Sequence, residues 1–449
     1  MSIGTGLSIA NSGLAAIQAQ LAVVSQNIAN ANTAGYSAEA ATLTATSAQG
    51  LGSGVISGPA TQLVNASMQA QVNAAVGNQS FQQTTAQSLS GIDQVMGTPG
   101  QGNDLSSLLG NLQSGFATLL TNPSNTVQQS AVVSSAQTLA RQINSISSAI
   151  GNATQTASTG VAAGITSLNT SLTQVGTLNN QIISLSQQGK STADLKNQRD
   201  ALVQTIASLT GAKSIAQPSG AISLYTPSGQ QLPTAGAGAF QASGNPPIIT
   251  LGSQTVTGTF TAGSIGAGLQ LATTTLPGLQ ANLDSFAQSL ASGFAATGLT
   301  LFSDPSGNVP STAAGFASVI AVNPQVVATP SLVRDGTPAS ALNPTGDAGF
   351  TGVISAILSS TATAPGGTLA TAATNVTANQ AALSSNAQTA STAAASLSTA
   401  LTNQASSTSG VSIDQQMGLL VTLQNAYAAN AKVVTIAQQM WAAQEAMIS

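Results

Sequence analysis

The chain of 449 residues contains no cysteine and no histidine, only seven Lys and Arg, eleven Asp and Glu, and 3% aromatic residues. Without cysteine there is neither a disulfide nor a thiolate metal site. Without histidine, imidazole general bases, Ser/His/Asp nucleophile activation and histidine metal ligation are excluded together. The acids Glu39, Asp93, Asp104, Asp284, Asp304, Asp347 and Asp414 each lie far from another acid in sequence, so nothing in the spacing announces a carboxylate pair. These absences argue against an enzyme and give no reason to expect a cofactor or a metal. Unclustered cations argue against a nucleic-acid surface. A net charge of -4 gives weak self-repulsion, which favours self-association. The first residues lack a basic, unbroken apolar leader, because Asn11, Ser12, Gln18 and Gln20 interrupt the pattern, and no uninterrupted run of 18 apolar residues occurs. The expectation is a chain with no membrane span, which, if exported, leaves by a route that cleaves no signal peptide.

What is present is a repeat of code at the two ends. Leu7, Ala10, Leu14, Ile17, Leu21, Val24 and Ile28 recur at spacings of three and four, an a/d seam on one long helix. Ile413, Leu420, Tyr427, Val434, Trp441 and Ile448 recur every seven residues, with Leu423 nearby, and predict a second helix. The two seams are expected to meet, within one molecule or between neighbours, as a coiled coil. Burial of seven such side chains does not offset the entropy of ordering a whole helix, so the ends are expected to fray in the monomer and to order in an assembly.

Between the ends, Gly35 closes the first helix, and glycines 50, 52, 54 and 58 with Pro59 mark a loop. Helical patterns run over 61–96, 104–121, 124–150 and 165–209. Around Gly211 the period changes to alternating, β-branched runs at Ile222 to Tyr225, Ile248 to Leu251 and Thr255 to Phe260. The fold class is mainly α: terminal helices pairing as a coiled coil, a long helical bundle or rod domain, and a small β-rich central insertion. The division is 1–37 and 412–449 for terminal polymerisation, 38–211 and 351–411 for the helical rod, with helix 276–294 returning to it, 212–275 for the β insertion, and 295–350 irregular or mixed.

The stretch from Asn27 through Asn30, Asn32 and Gly35 to Tyr36 and Ser37 resembles the N-terminal motif of bacterial flagellar rod, hook and hook-associated axial proteins. Gly410 with Ile413, Leu420, Asn430 and Lys432 resembles their C-terminal motif. Within the axial group, Asp194-Leu195-Lys196-Asn197-Gln198-Arg199-Asp200, the Leu276 to Leu290 helix with Leu283-Asp284, and Pro123-Ser124 look like the hook-associated protein 1 family. That resemblance implies a structural subunit at the hook-filament junction, exported by the flagellar type III system. It implies as partners further copies of the chain in a ring, the hook protein, the second hook-associated junction protein and an export chaperone. Ala34 and Ala38 depart from the family's usual proline and arginine. Alternatives are a hook or rod subunit, and a surface adhesin or carbohydrate-binding protein using the β insertion.

Asn11, Gln18, Ser25 and Asn32 repeat every seven residues on another face of the first helix. An uncharged polar stripe of this kind suits the wall of a hydrated channel, a position the resemblance also implies. Asn30, Asn32 and Gly35 also read as a helix cap and turn. Lys196 and Asp200 read as an exposed i,i+4 pair, and Tyr427 and Trp441 as core.

Overall fold

The computed structural model describes residues 3–33, 35–48, 51–97, 102–234, 238–337 and 368–448. Helix α1 (Ile3–Ala29) lies antiparallel to the C-terminal helix (Ile413–Ile448): Gly13 packs on Asn430, while Asn27 near the other end reaches Gln416. Ile17, Val24 and Leu423 form the buried apolar contact, with Leu21, Ile28, Leu420 and Ala426 packed against it. All the seam residues of α1 are at least half-covered, including Leu7 and Leu14. On the C-terminal helix the seam is displaced from the expected one. The covered stripe is Gln416, Leu420, Leu423, Asn430 and Val434, whereas Ile413, Tyr427 and Trp441 are exposed, Trp441 by 55%. The apolar side chains of this helix extend around more of its circumference than one partner covers, so a sevenfold repeat alone could not say which stripe faces α1. By length and mean hydropathy of 1.4, Gly4–Ala29 is also long and apolar enough to cross a membrane.

The loop expected after Gly35 is a β structure instead. Short strands β1 (Glu39–Ala40) and β4 (Thr61–Gln62) pair antiparallel, flanking a hairpin of β2 (Leu43–Ala48) and β3 (Leu51–Ser57). The hairpin lies on α1. Ser12 Oγ accepts from Val55 N at 3.1 Å, and a Cβ on Gly54 would stand 2.3 Å from that same Oγ. Glycine here permits close approach to the helix, which a reading of glycines as loop markers misses.

The body is a helical bundle of α2 (Ala66–Met96), α3 (Leu105–Thr121), α4 (Thr126–Gln187) and α5 (Ala193–Thr210), joined later by α6 (Gly263–Gln270), α7 (Leu276–Ala295) and a return helix (Leu369–Ser409). Asn65, Asp104, Asn125 and Thr368 cap the first turns of α2, α3, α4 and the return helix. Helix α4 runs unbroken through 151–164, where no helix was expected, and the break falls at 188–192 within the expected 165–209 segment. At the end of the 151–164 stretch a Cβ on Gly164 would meet Ile265 Cγ1 at 2.8 Å, so the glycine lets α6 sit against α4. Between α6 and α7 the backbone widens into a π turn (Leu271–Thr275), with Leu276 N donating to Leu271 O. Pro277 follows directly and has no N–H to donate. Gln380 pins the return helix to α2 through Leu89 O (3.1 Å) and Asp93 Oδ1 (3.2 Å).

One core joins α2, α3, the first half of α4, α7 and the return helix around Phe116, Phe294 and Phe302. A second joins the later half of α4, α5 and α6 to the insertion through Leu168, Leu224, Phe240, Ile249 and Phe260. The insertion comprises two three-stranded antiparallel sheets, β5 (Lys213–Ala216), β6 (Ile222–Tyr225) and β7 (Gln231–Leu232), then β8 (Phe240–Ser243), β9 (Ile248–Leu251) and β10 (Gln254–Thr255). The expected strands at 222–225 and 248–251 are found. That at 255–260 ends after Thr255, where a 3-10 turn (Thr257–Thr259) brings Phe260 into the core edge-on to Phe240. Residues 296–337 hold two short paired strands (Phe302–Ser303, Ala321–Val322) and short helical turns, and Asp284 of the expected Leu283-Asp284 motif holds this segment by accepting from Gly315 N and Ala317 N. Ala34 and the expected segments 338–350 and 351–367 lie outside the described residues.

Gly263 has φ of +67°, and a Cβ there would stand 2.3 Å from the backbone carbon of Leu209. Gly263→Ala should therefore cost about 3 kcal/mol, read as a lowered urea midpoint. The thin contact between the terminal helices carries a second expectation: circular dichroism should show helix gained when the dilute chain assembles, and full helicity before assembly would refute it.

Candidate functional site

Asn27, Tyr36, Ser37, Asn197 and Gly410, among the residues that carry the family resemblance, converge where the terminal helices leave the body. Asn27, only 1% exposed, is the centre on the terminal side. Its Oδ1 accepts from Glu39 N (2.9 Å) and from the Tyr36 phenol (3.1 Å), while its Nδ2 donates to Glu39 O (2.8 Å) and Gln416 Oε1 (3.3 Å). One amide thus ties α1, the connector and the C-terminal helix. Asn30 returns a hydrogen bond to Gln26 O at 3.1 Å, and Gly35 has φ of +78°, so the cap-and-turn reading of this motif fits. Gly410 ends the return helix where a Cβ would lie 2.3 Å from Ser406 O. Beside it, Ser409 O accepts from Ala38 N at 2.8 Å.

Asn197 is the counterpart on the body. Its Oδ1 accepts from Ser37 N (3.0 Å) and Gln62 Nε2 (2.8 Å), and its Nδ2 donates to Ser37 O and Glu39 Oε1, both at 3.1 Å. Gln62 also reaches Asp200 Oδ2 (2.8 Å), and Gln26 of α1 reaches Asp194 Oδ1 (2.6 Å). On the opposite side of α5, buried Arg199 donates to Asn179 Oδ1 (3.1 Å) and Gly220 O (2.8 Å), and Asn179 clasps the backbone of Ile222. The Asp194 to Asp200 stretch is therefore not a solvated charged face but a joint, fastening the connector on one side and α4 with the insertion on the other. Sequence spacing gave Lys196 and Asp200 as an exposed pair; Asp200 is instead partly covered and bound to Gln62.

The joint brings together the acids that sequence spacing left apart. Burial, then the neighbouring Asp194, pushes Glu39 up to about 7. Burial also raises Tyr36 and Asp200 and lowers Arg199. Next to the joint is a recess of about 340 Å³ lined by Gln26, Asn30, Tyr36, Asp194 and Asn197 among others. A separate recess of about 470 Å³ between α4 and the β7–β8 link is lined only by neutral residues, such as Asn169, Thr173, Asn180 and Thr234. Among the described residues no three of Asp, Glu, His or Cys gather as a metal cluster. The hydrogen bonds of Asn27 and Asn197 suit the arrangement to mechanical fastening of the connector.

The remaining sequence candidates lie along the terminal helices. Asn11, Gln18 and Ser25 are exposed on the side of α1 away from the covered stripe, whereas Asn32, also exposed, lies in the turn beyond the helix end at Ala29 and does not continue the expected stripe on it. Lys432 is exposed, and Asn430 is half-covered against Gly13.

Three family models match the chain: "Flagella basal body rod protein" over 7–36, "Flagellar hook-associated protein FlgK helical domain" over 89–307, and "Flagellar basal body rod FlgEFG protein C-terminal" over 402–446. Flagellar hook-associated protein 1 of Salmonella typhimurium is 29% identical over 233 residues, covering 50% of this chain and 41% of the relative. That of Bacillus subtilis is 26% identical over 236 residues, covering 50% and 46%. The hook junction protein FlgK from Burkholderia pseudomallei aligns with a TM-score of 0.46 and 26% identity, over 54% of this chain and 45% of that one. The chain spans less than half the length of the curated relatives it matches. Rod-type ends enclosing a helical middle define a flagellar axial protein. Among axial proteins, the chain is similar to the flagellar hook-associated protein 1 family, whose helical-domain model matches just under half of it.

The joint makes a direct prediction. Asn197→Leu keeps the volume but strands the buried amide of Ser37 and one oxygen of Glu39, which should cost about 2 to 3 kcal/mol. A lowered first transition in urea unfolding checks this, and an unchanged midpoint would mean that the joint holds nothing.

Proposed function

We propose that this chain is a structural axial component of the bacterial flagellum that forms the junction joining hook to filament, and is not an enzyme. The observation that carries the reading is the nesting of a middle of hook-associated type between ends of rod type, with Asn27 and Tyr36 of the N-terminal motif and Asn197 of the middle meeting at one joint. Self-assembly into a ring is supported by the C-terminal helix, whose Met417, Val433, Ile436, Met440 and Trp441 are exposed in the single chain. Residues of that size and number on one exposed helix await a protein partner. In this reading α1 and the C-terminal helix form the inner tube, Leu7, Leu14, Ile17, Leu21, Val24 and Ile28 make the seam, and Asn11, Gln18 and Ser25 face the lumen. The hook protein and the second hook-associated junction protein are the neighbours on either side. The chain reaches its place through the flagellar type III export system with a cytoplasmic chaperone.

Electron microscopy of cells lacking the chain, with a blot for flagellin in the medium, tests this. Bare hooks with shed flagellin are expected; missing hooks would move the chain to the rod or hook, and normal filaments would refute an axial role. Replacing Gln18 and Ser25 with lysine should impede export of later subunits, and unchanged export would refute the lumen position.

A further inference from the structure

We propose that copies of this chain meet head to tail along their terminal helices, the bare seam of one copy's C-terminal helix seating on a strip of small residues along the next copy's α1. The inference rests on the reading of the chain as an axial subunit and names the surfaces through which its copies meet.

The C-terminal helix carries a second a/d stripe besides the one that α1 covers. Ala429, Val433, Ile436, Met440, Ala443 and Met447 step by four, three, four, three and four, and all six are exposed. Ala429 and Val433 each stand one position before a residue of the covered stripe, Asn430 and Val434, so the bare stripe is turned from it by about 100°. The molecule's own α1 therefore covers one stripe and leaves the other. A stripe with this spacing fits another helix, its side chains entering holes formed by four residues of the partner. Four of its members are large, and Met447 at its end is 82% exposed.

The matching surface is on α1. Ser8, Ala15, Ala22 and Ala29 recur every seven residues and are all exposed. The first three stand two positions before the buried Ala10, Ile17 and Val24, about 200° around the helix, and so lie nearly opposite the molecule's own C-terminal helix. The polar stripe of Asn11, Gln18 and Ser25 is a different face, about 60° away. Small residues leave a furrow that Val, Ile and Met side chains fill, large against small. At 1.5 Å per residue the seam runs about 27 Å and the strip about 32 Å, so their lengths agree. Charge permits the contact as well: Lys432 is exposed beside the seam, and α1 has no charged side chain to repel it. Seam and strip are on different helices of one chain, so the contact is heterologous. Each copy gives its seam to one neighbour and its strip to the other, and the series closes as a ring or continues as a helix.

Because the chain has no cysteine, introduced thiols report contacts without background. Two full-length variants, Ala22→Cys and Ile436→Cys, are produced together in cells lacking the natural chain, flagella are isolated, and the thiols are joined with a short bis-maleimide. A second preparation pairs Ala15→Cys with Ile436→Cys, because the strip residue nearest Ile436 depends on the register. Cross-linked dimer is expected in at least one mixed preparation and in none of the variants alone. Dimer from Ile436→Cys alone would mean that two seams pack on each other, and its cross-linking to a different protein would mean that another partner covers the seam; either overturns the proposal. So does the absence of dimer from both mixtures when the variants are present in the flagella, an outcome that leaves the axial reading standing. Ala443→Cys, a smaller change on the same seam, takes the place of Ile436→Cys if that variant does not enter flagella. Absence of the natural chain itself from isolated flagella would remove the axial reading, and this inference with it.

Discussion

Two carboxamides, Asn27 and Asn197, hold the terminal helices to the rest of the chain. An amide side chain offers an acceptor and two donors in one plane, so a buried one can mate with the backbone of a connector on both edges. Asn27 does this for Glu39 and Asn197 for Ser37, and together they clamp a segment that has almost no apolar side chain to bury. The neutral groups suit a chain with so few charges, because fastening by ion pairs would need desolvated charges at every crossing. Arg199 is the exception, and its guanidinium is spent inside the body on Asn179 and Gly220 rather than on the connector.

Around this joint the energetics are uneven. The body carries two large cores, rich in residues fully withdrawn from water, whereas the apolar cluster between the terminal helices has three buried residues beside a long exposed apolar surface. A fold built in this way is stable in its middle and incomplete at its ends. That asymmetry suits a subunit whose ends finish folding against other subunits, since the surface left bare in one chain is what an assembly would bury.

Several motif residues that look functional in sequence prove to be fittings. Gly410 stands where a Cβ would strike Ser406 O, Asp284 pins the turn at 315–317, and Asn30 closes α1. Each constrains the backbone locally, and each is near a place where two elements change direction. Their common role explains why a resemblance spread over distant segments still points to one architecture.

The sequence by itself determined most of the helices, the period change near Gly211, two of the inner strands, the paired ends and the resemblance to axial proteins, because periodicity, capping residues and local motifs act over a few residues. It also showed the uncharged stripe of α1. Only the tertiary structure decided which stripe of the C-terminal helix faces α1, that glycines 52 and 54 belong to a hairpin rather than a loop, and that α4 continues through 151–164. Those outcomes rest on contacts between residues far apart in the chain, such as Ser12 with Val55 and Gly164 with Ile265. The same reason hid the joint: Glu39 and Asn197 are 158 positions apart, and no local pattern marks a hydrogen bond that only the folding of α5 against the connector creates.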